Sequence, residues 1–310
     1  MKTYKVYRHG FTCGTAPTKN DHPREKRGEV AGWSQGATRR NTQFLRSVRE
    51  SELPTDCQGN PLRAIALTLT LKTCPATGDD WHKLRRAFLK RCERLGLYRC
   101  HWVTEWQRRG VPHLHGAFWF PEHVLPFDVL KHWLEVTSEH GAQLGAQYVL
   151  PITDAVGWFK YLSKHAARGV GHYQRSPENV PEGWKGKTGR VWGKTGDWPV
   201  QEPVPVEMGP SAYYAFRRIV RNWRISDSRT TGVRDAVGLY RRKHPEAKGK
   251  PEKDLYKPAG AFKRLKSARG MLRCNDRNLS SVRGVSEWLP EETQFLILDH
   301  LRAQGHEVRC

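Results

Sequence analysis

The sequence predicts an α+β fold, an antiparallel sheet with helices packed on one face, and three stretches carry that expectation. Residues 63–72 alternate apolar side chains with threonines in a β-branched run, the pattern of a strand. Trp81, Leu84, Phe88, Leu89 and Leu95 recur at helical spacing behind the Gly78-Asp79-Asp80 start signal, while Lys83, Arg85, Arg86, Lys90, Arg91 and Arg94 fill the other side. Residues 112–120 form a second apolar, aromatic run that contains His113 and His115 at strand spacing.

Taken in order, residues 1–60 are rich in Gly, Pro, Thr and Arg and read as a basic extension, with a short helix opening after Gly32-Trp33-Ser34. A domain over 61–225 follows. It comprises the strand at 63–72, the helix at 81–95, strands at about 98–107 and 112–120, a helix from Phe127 to about Glu139, a strand over 147–153, and a helix from Ala155 to about Arg168 capped by Asp154. Strand, helix, strand, strand, helix, strand is the split β-α-β pattern of a ferredoxin-like or RNA-recognition-like domain. Gly189 to Gly193 reads as a short strand and Tyr213 to Arg224 as a basic aromatic helix. Residues 226–280 read as a basic linker, since 232–277 hold fourteen Lys or Arg against five Asp or Glu with little periodicity. A small helical element at 281–310 ends the chain, built on Trp288, Phe295, Leu296, Leu298 and Leu301.

Composition narrows the function classes. With 53 Lys and Arg against 31 Asp and Glu, the formal net charge is +22, which at this size points to a polyanionic partner, nucleic acid first. No apolar run reaches the roughly 18 residues of a membrane-spanning helix, so a membrane is not expected. The seven cysteines are scattered without a Cys-x-x-Cys pair, and residues 1–12 lack the apolar core of a signal peptide; both point to a reducing cytoplasm, which the resemblance given below would make that of a bacterial host.

In a strand, His113 and His115 share a face while Leu114 points into the core. Glu105 joins them if directly paired residue numbers sum to an even value. A three-residue loop, Arg109-Gly110-Val111, satisfies this and sets Glu105 opposite His115, with Gly110 free to take positive φ. Two imidazoles and a carboxylate on a rigid sheet suit Mn²⁺ or Mg²⁺ beside a phosphate, and Zn²⁺ would also bind. A pair of satisfied structural histidines is the competing reading. On the third helix, Ala155 to about Arg168, Tyr161 and Lys164 lie three residues apart on one face. A phenol with a pKa near 10 needs a neighbouring cation to react as phenolate at neutral pH, and a core tyrosine beside Trp158 and Phe159 is the alternative.

Together, Leu67-Thr68-Leu69-Thr70, Pro112-His113-Leu114-His115 and Tyr161-Leu162-Ser163-Lys164, in this order and spacing, resemble the three motifs of HUH endonucleases that initiate rolling-circle replication. The Gly-Val-Pro lead-in to His113, residues 158–164 and 189–193, and Gly32-Trp33-Ser34 resemble replication initiators of filamentous phages. The resemblance implies an origin-specific nickase and strand transferase using Mg²⁺ or Mn²⁺. Tyr161 would attack a phosphodiester, leaving a 5′-phosphotyrosyl link and a 3′-hydroxyl primer; His113, His115 and Glu105 would hold the metal; Lys164 would orient the phosphate. Only one tyrosine serves, because Tyr173 is too distant for the same helix face. The partners implied are single-stranded or locally melted origin DNA, a host polymerase and a host helicase, since no complete Gly-x-x-x-x-Gly-Lys-Ser/Thr phosphate loop is present. Thr68, Thr70, Arg39, Arg40, Arg168, Lys187, Arg190 and Trp192 are the DNA-contact candidates. A non-catalytic single-strand binder, a relaxase and a single-tyrosine transposase are the rival readings.

Overall fold

The structure is a computed structural model and describes residues 2–15, 29–164, 173–227, 234–250 and 285–309. It is α+β and divides into two compact units, Met1–Val6 with Gly10–Lys19 and Val204–Cys310, and Tyr7–His9 with Asn20–Pro203.

The first unit is built on a five-stranded sheet. Strands β1 (Lys2–Tyr7) and β2 (Gly10–Thr15) join β8 (Val204–Met208), β9 (Val285–Glu287) and β10 (Val308–Arg309) in the order β10-β8-β1-β2-β9. Tyr4 opposes Val206 and Phe11 opposes Glu287. Tyr4, Val6, Phe11, Val206 and Met208 pack with Tyr213 and Phe216 of helix Pro210–Asp227 and with Leu298 and Leu301 of helix Glu291–Ala303. Buried Gln294 is satisfied on both ends, accepting from Tyr4 Oη at 3.2 Å and donating to the Leu289 carbonyl at 3.0 Å. The expected division therefore differs. Residues 2–15 are core strands rather than an extension, the helix at 210–227 belongs to this unit, and Arg234–Lys243 within the expected linker is helical. The partners of β1 and β2 lie some two hundred residues away, so no local pattern announces them.

The second unit carries the other sheet. Helix α1 (Gln35–Ser47) precedes β3 (Leu62–Thr70), α2 (Gly78–Arg94), β4 (Arg99–Trp106), β5 (Pro112–Pro121), α3 (Pro126–Val136), β6 (Tyr148–Pro151), α4 (Ala155–Lys164) and β7 (Trp192–Gly196). All neighbours are antiparallel in the order β6-β3-β5-β4-β7, so the expected β-α-β-β-α-β run is present with β7 added beside β4.

Helices cover both faces of this sheet, not one. On one face lie Trp102, Thr104, Leu114 and Phe118. There Trp81 of α2 donates to Thr104 Oγ1 at 3.1 Å, Phe88 packs on Phe118, and Trp133 of α3 closes edge-on over Trp81 and Phe88. Each of these fully buried aromatics contributes about 1.5–3 kcal/mol by leaving water. Arg85, expected on the solvent side of α2, is buried, its guanidinium 3.7 Å from the Trp102 ring centre. Thr77, one residue earlier than the expected start signal, caps α2 by accepting from Asp80 N at 3.1 Å. Phe127, expected on the packed side of α3, is exposed.

On the opposite face lie His101, Val103 and Glu105 of β4, His113, His115 and Trp119 of β5, and Thr68 and Thr70 of β3. Helices α1 and α4 cover it. Asn41 of α1 binds His101 Nε2 at 2.6 Å, and Phe159 of α4 packs on Trp119. Ser34 caps α1 by accepting from Ala37 N at 3.0 Å, and the preceding Trp33 donates its indole N–H to the Thr104 carbonyl at 2.7 Å. Between the faces, β5 needs glycine at position 116, where a Cβ would sit 2.5 Å from a Phe118 ring carbon.

Candidate functional site

The turn between β4 and β5 fixes which side chains meet. Gln107 N donates to the Val111 carbonyl at 2.9 Å, so the three-residue loop is Arg108-Arg109-Gly110, with Gly110 at φ +72°. The loop therefore sits one residue earlier than the sequence suggested. The pairing sum stays even, so Glu105 shares the face of both histidines as expected. Its direct partner is His113, however, and His115 opposes Val103.

His115 is buried, and its Nδ1 lies 2.9 Å from the Thr68 hydroxyl. If Nδ1 carries the proton and donates to Thr68, the Nε2 lone pair points toward Glu105, whose Oε2 is 3.6 Å away. The His113 ring lies parallel to that of His115 at 5.7 Å between centres, and both its nitrogens are shielded from solvent without a hydrogen-bond partner. Burial, reinforced by His115 and Arg109, pushes the His113 pKa down to about 3, so the ring is neutral at physiological pH with a lone pair available.

Glu105 is engaged by a residue that the sequence reading missed. Arg175, fully buried, donates from Nε to Glu105 Oε1 at 2.6 Å and from Nη2 to the Leu162 carbonyl of α4 at 3.2 Å, with the Trp33 ring stacked 3.7 Å from its guanidinium carbon. One side chain thus ties β4, α4 and the segment before α1 together. Burial lowers the Arg175 pKa, and the Glu105 carboxylate opposes that shift. A lone arginine in a polar Gly and Pro-rich stretch carries no signal in sequence; only the fold shows where it points.

Tyr161 projects from α4 onto the same face, its ring edge-on to His115 at 5.9 Å. Trp158, one turn earlier, stacks on Tyr161 at 4.8 Å and donates from Nε1 to the Gly116 carbonyl at 3.1 Å, which sets the orientation of the phenol. Helix α4 starts as expected, with Asp154 Oδ1 accepting from Gly157 N at 2.8 Å. Burial raises the Tyr161 pKa above its ordinary value, and the Glu105 carboxylate and then Tyr173 push the same way. Tyr173, excluded from the helix face by its spacing, thus returns near enough through the chain fold to influence the phenol.

The structure brings together His113, His115, Glu105, Thr68 and Tyr161. Thr68 orients a histidine, and Thr70 is buried, its hydroxyl directed to the Leu71 carbonyl at 3.4 Å. Among the described residues, no three His, Cys, Asp or Glu side chains already converge as a metal cage. The two imidazoles offer nitrogen donors, while Glu105 has one oxygen committed to Arg175. Lys164 ends α4, and Arg168 lies outside the described residues. Arg39, Arg40 and Arg190 are exposed, Lys187 is paired with Asp79 at 3.1 Å and Glu29 at 3.5 Å, and Trp192 packs beside Phe44 and His101. The described cysteines are free, and no described helix is long and apolar enough to cross a membrane.

Comparison with known proteins places this face in context. The ORF2-type family of replication-associated proteins matches residues 64–166, the span from β3 past Tyr161. The chain is 46% identical to the replication-associated protein of Pseudomonas phage Pf3, over 99% of both chains. It is 47% identical to a protein named for replication in Xylella fastidiosa strain 9a5c, over 99% of both chains, and 47% identical to one from strain Temecula1, over 93% of this chain and 99% of the other. No solved structure matches the chain.

Proposed function

The chain belongs to the ORF2-type family of replication-associated proteins, and on that premise we propose that it initiates replication by nicking one DNA strand at an origin through Tyr161. The observation that carries this reading is the placement of the Tyr161 ring against His115, on the face that also holds His113 and Glu105. A stacking protein needs no such arrangement, because base stacking uses aromatic faces alone.

In the proposed reaction the Tyr161 oxygen attacks the phosphorus of the scissile phosphodiester. The bond to the 3′ oxygen breaks, that oxygen takes up a proton, and the 5′ end remains on Tyr161 as a phosphotyrosyl ester. The free 3′-hydroxyl then serves a host polymerase, and reversal of the same exchange rejoins the strand without ATP. Trp158 holds the phenol in place. Thr68 fixes the His115 ring, and Arg175 fixes Glu105. Lys164, three residues from Tyr161 on α4, is assigned to the phosphate, and exposed Arg39, Arg40 and Arg190 to the DNA backbone.

A divalent ion, Mg²⁺ or Mn²⁺, fits the donor set in part. His113 supplies unpartnered neutral nitrogens, His115 is oriented through Nδ1, and Glu105 turns Oε2 toward His115 while Oε1 accepts from Arg175. Such an ion would stabilise charge developing on the non-bridging oxygens. The test is incubation with Mn²⁺ and a labelled single strand containing the element's own origin, followed by a denaturing gel. Wild type should form a covalent adduct and Tyr161→Phe none. A wild type without adduct, or a Tyr161→Phe protein that forms as much, would overturn the assignment.

A further inference from the structure

We propose that Tyr148 and Trp158 form a base-stacking platform that holds the nucleotide beside the phosphodiester presented to Tyr161. The inference rests on the reading of Tyr161 as the nucleophile and adds a binding site for nucleobases to it. Three rings form a near-parallel ladder. Trp158 stacks on Tyr161 at 4.8 Å with 18° between planes, and Tyr148 lies 6.4 Å from Trp158 with 11° between planes.

The ladder runs from the site to solvent. Tyr148 sits on β6, the edge strand of its sheet, opposite Thr68, which in turn opposes His115. It is therefore on the face of the histidines, yet 48% exposed, and Leu150, two residues along the same strand face, is 49% exposed. Trp158 cannot swing away without losing its bond to the Gly116 carbonyl, so the middle ring is fixed. A large aromatic left open at a sheet edge, parallel to two others and ending on a nucleophile, offers a flat neutral surface where a flat ligand is needed.

A single DNA strand meets that geometry. Stacked bases are spaced roughly 3.4 Å apart along a strand, so the ladder spans about two to three nucleotides. A phosphodiester at Tyr161 then places a nearby base on the open ring of Tyr148, with Trp158 fixed beneath it. Every base has a π-face, so this grip is indifferent to sequence. It is closed to intact duplex, whose bases are already stacked on each other.

The experiment is equilibrium binding by fluorescence anisotropy, in chelator and on full-length protein carrying Tyr161→Phe, so that cleavage plays no part. The probes are a labelled oligothymidylate and an abasic strand with the same number of phosphates. Adding Tyr148→Ala should weaken oligothymidylate binding roughly tenfold, the effect of losing one base–aromatic stack. Tyr148→Phe should stay within about twofold, and the abasic strand should not distinguish the variants. Tyr148→Leu, which keeps apolar cover over Trp158 without a ring, should behave as the alanine variant and serves if that one unfolds. The platform is overturned if Tyr148→Ala and Tyr148→Leu bind as tightly as their parent, or if they lose as much affinity for the abasic strand. Adduct formation by the protein with Tyr161 intact, run in parallel, separates the two readings. Absence of adduct removes the nickase while leaving the binding comparison to decide the platform, and adduct with no effect at Tyr148 removes the platform alone.

Discussion

Replacing Arg175 with methionine tests the idea that one buried ion pair ties the histidine face to the tyrosine helix. The substitution keeps most of the side-chain volume under Trp33 but removes the donors to Glu105 Oε1 and to the Leu162 carbonyl. Glu105, 1% exposed, is left as a buried carboxylate without its guanidinium. Breaking a buried pair from one side costs about 3–5 kcal/mol, a large share of the roughly 5–15 kcal/mol that holds a domain folded. With a urea dependence of about 1–3 kcal/mol per molar, the unfolding midpoint should fall by about 1 M or more. Removing the carboxylate charge as well, in Arg175→Met with Glu105→Gln, should recover much of that loss, because an amide costs far less to bury than a carboxylate. The assay is urea unfolding followed by tryptophan fluorescence. A single variant as stable as wild type, or a double variant no better than the single one, would refute the claim that the pair carries this energy.

Two further outcomes follow from the same face. Thr68→Val keeps the shape of β3 but removes the hydroxyl that orients His115 Nδ1; adduct formation at limiting Mn²⁺ should fall about 10- to 100-fold with the unfolding midpoint within about 0.5 M of wild type, and an unchanged Mn²⁺ dependence would count against an orienting role. His101 is fully buried, its pKa pushed down to about 3 by burial and then by Arg175 and Lys194, against 6.5 when exposed, so the unfolded chain binds the proton more readily. Stability from this group is present above pH 6.5 and is lost as pH falls toward 3, at about 1.4 kcal/mol per unit, and His113 and His82, lowered to about 3 and about 4, add in the same direction. His101→Gln should flatten the acid limb of a stability profile between pH 6.5 and 5 by about 2 kcal/mol, and a profile with the wild-type slope would show that His101 does not drive it.

The parts of this molecule that were legible in sequence are those whose partners lie close along the chain. The β3 alternation, the α2 stripe, the helix opening after Ser34, the Asp154 cap and the glycine turn before His113 are local, and the structure has each within a residue or two. The turn shows the limit of that logic. Parity alone decided that Glu105 would face the histidines, and parity survives a one-residue shift of the loop at both ends, so the face was right while the direct partner was His113 rather than His115. Long-range pairing was invisible. Strands β1 and β2 depend on residues 204–208 and 285–287, and Arg175 reaches Glu105 across seventy residues. Arg85 misled for a different reason. Charge assigns an arginine to the solvent side, whereas this guanidinium lies flat on Trp102 and binds the His82 ring at 2.7 Å and the Arg190 carbonyl at 3.4 Å.

The charges around Tyr161 argue that its proton leaves only when positive charge arrives. Burial disfavours the phenolate, and the Glu105 carboxylate, near enough to raise the pKa further, disfavours it again. Arg175 does not reverse this: its charge is paired with the Glu105 carboxylate, and its Nη2 donates to the Leu162 carbonyl. The pair therefore acts first on position: it fixes the carboxylate and anchors the end of α4 one residue after Tyr161. A tyrosine held by Trp158 on one side and His115 on the other, yet hard to ionise, has its orientation set before its reactivity. On the proposed reading this ordering has a use. The phenol stays protonated at neutral pH on the free protein, and a cation brought beside it together with the strand's phosphate would lower its pKa.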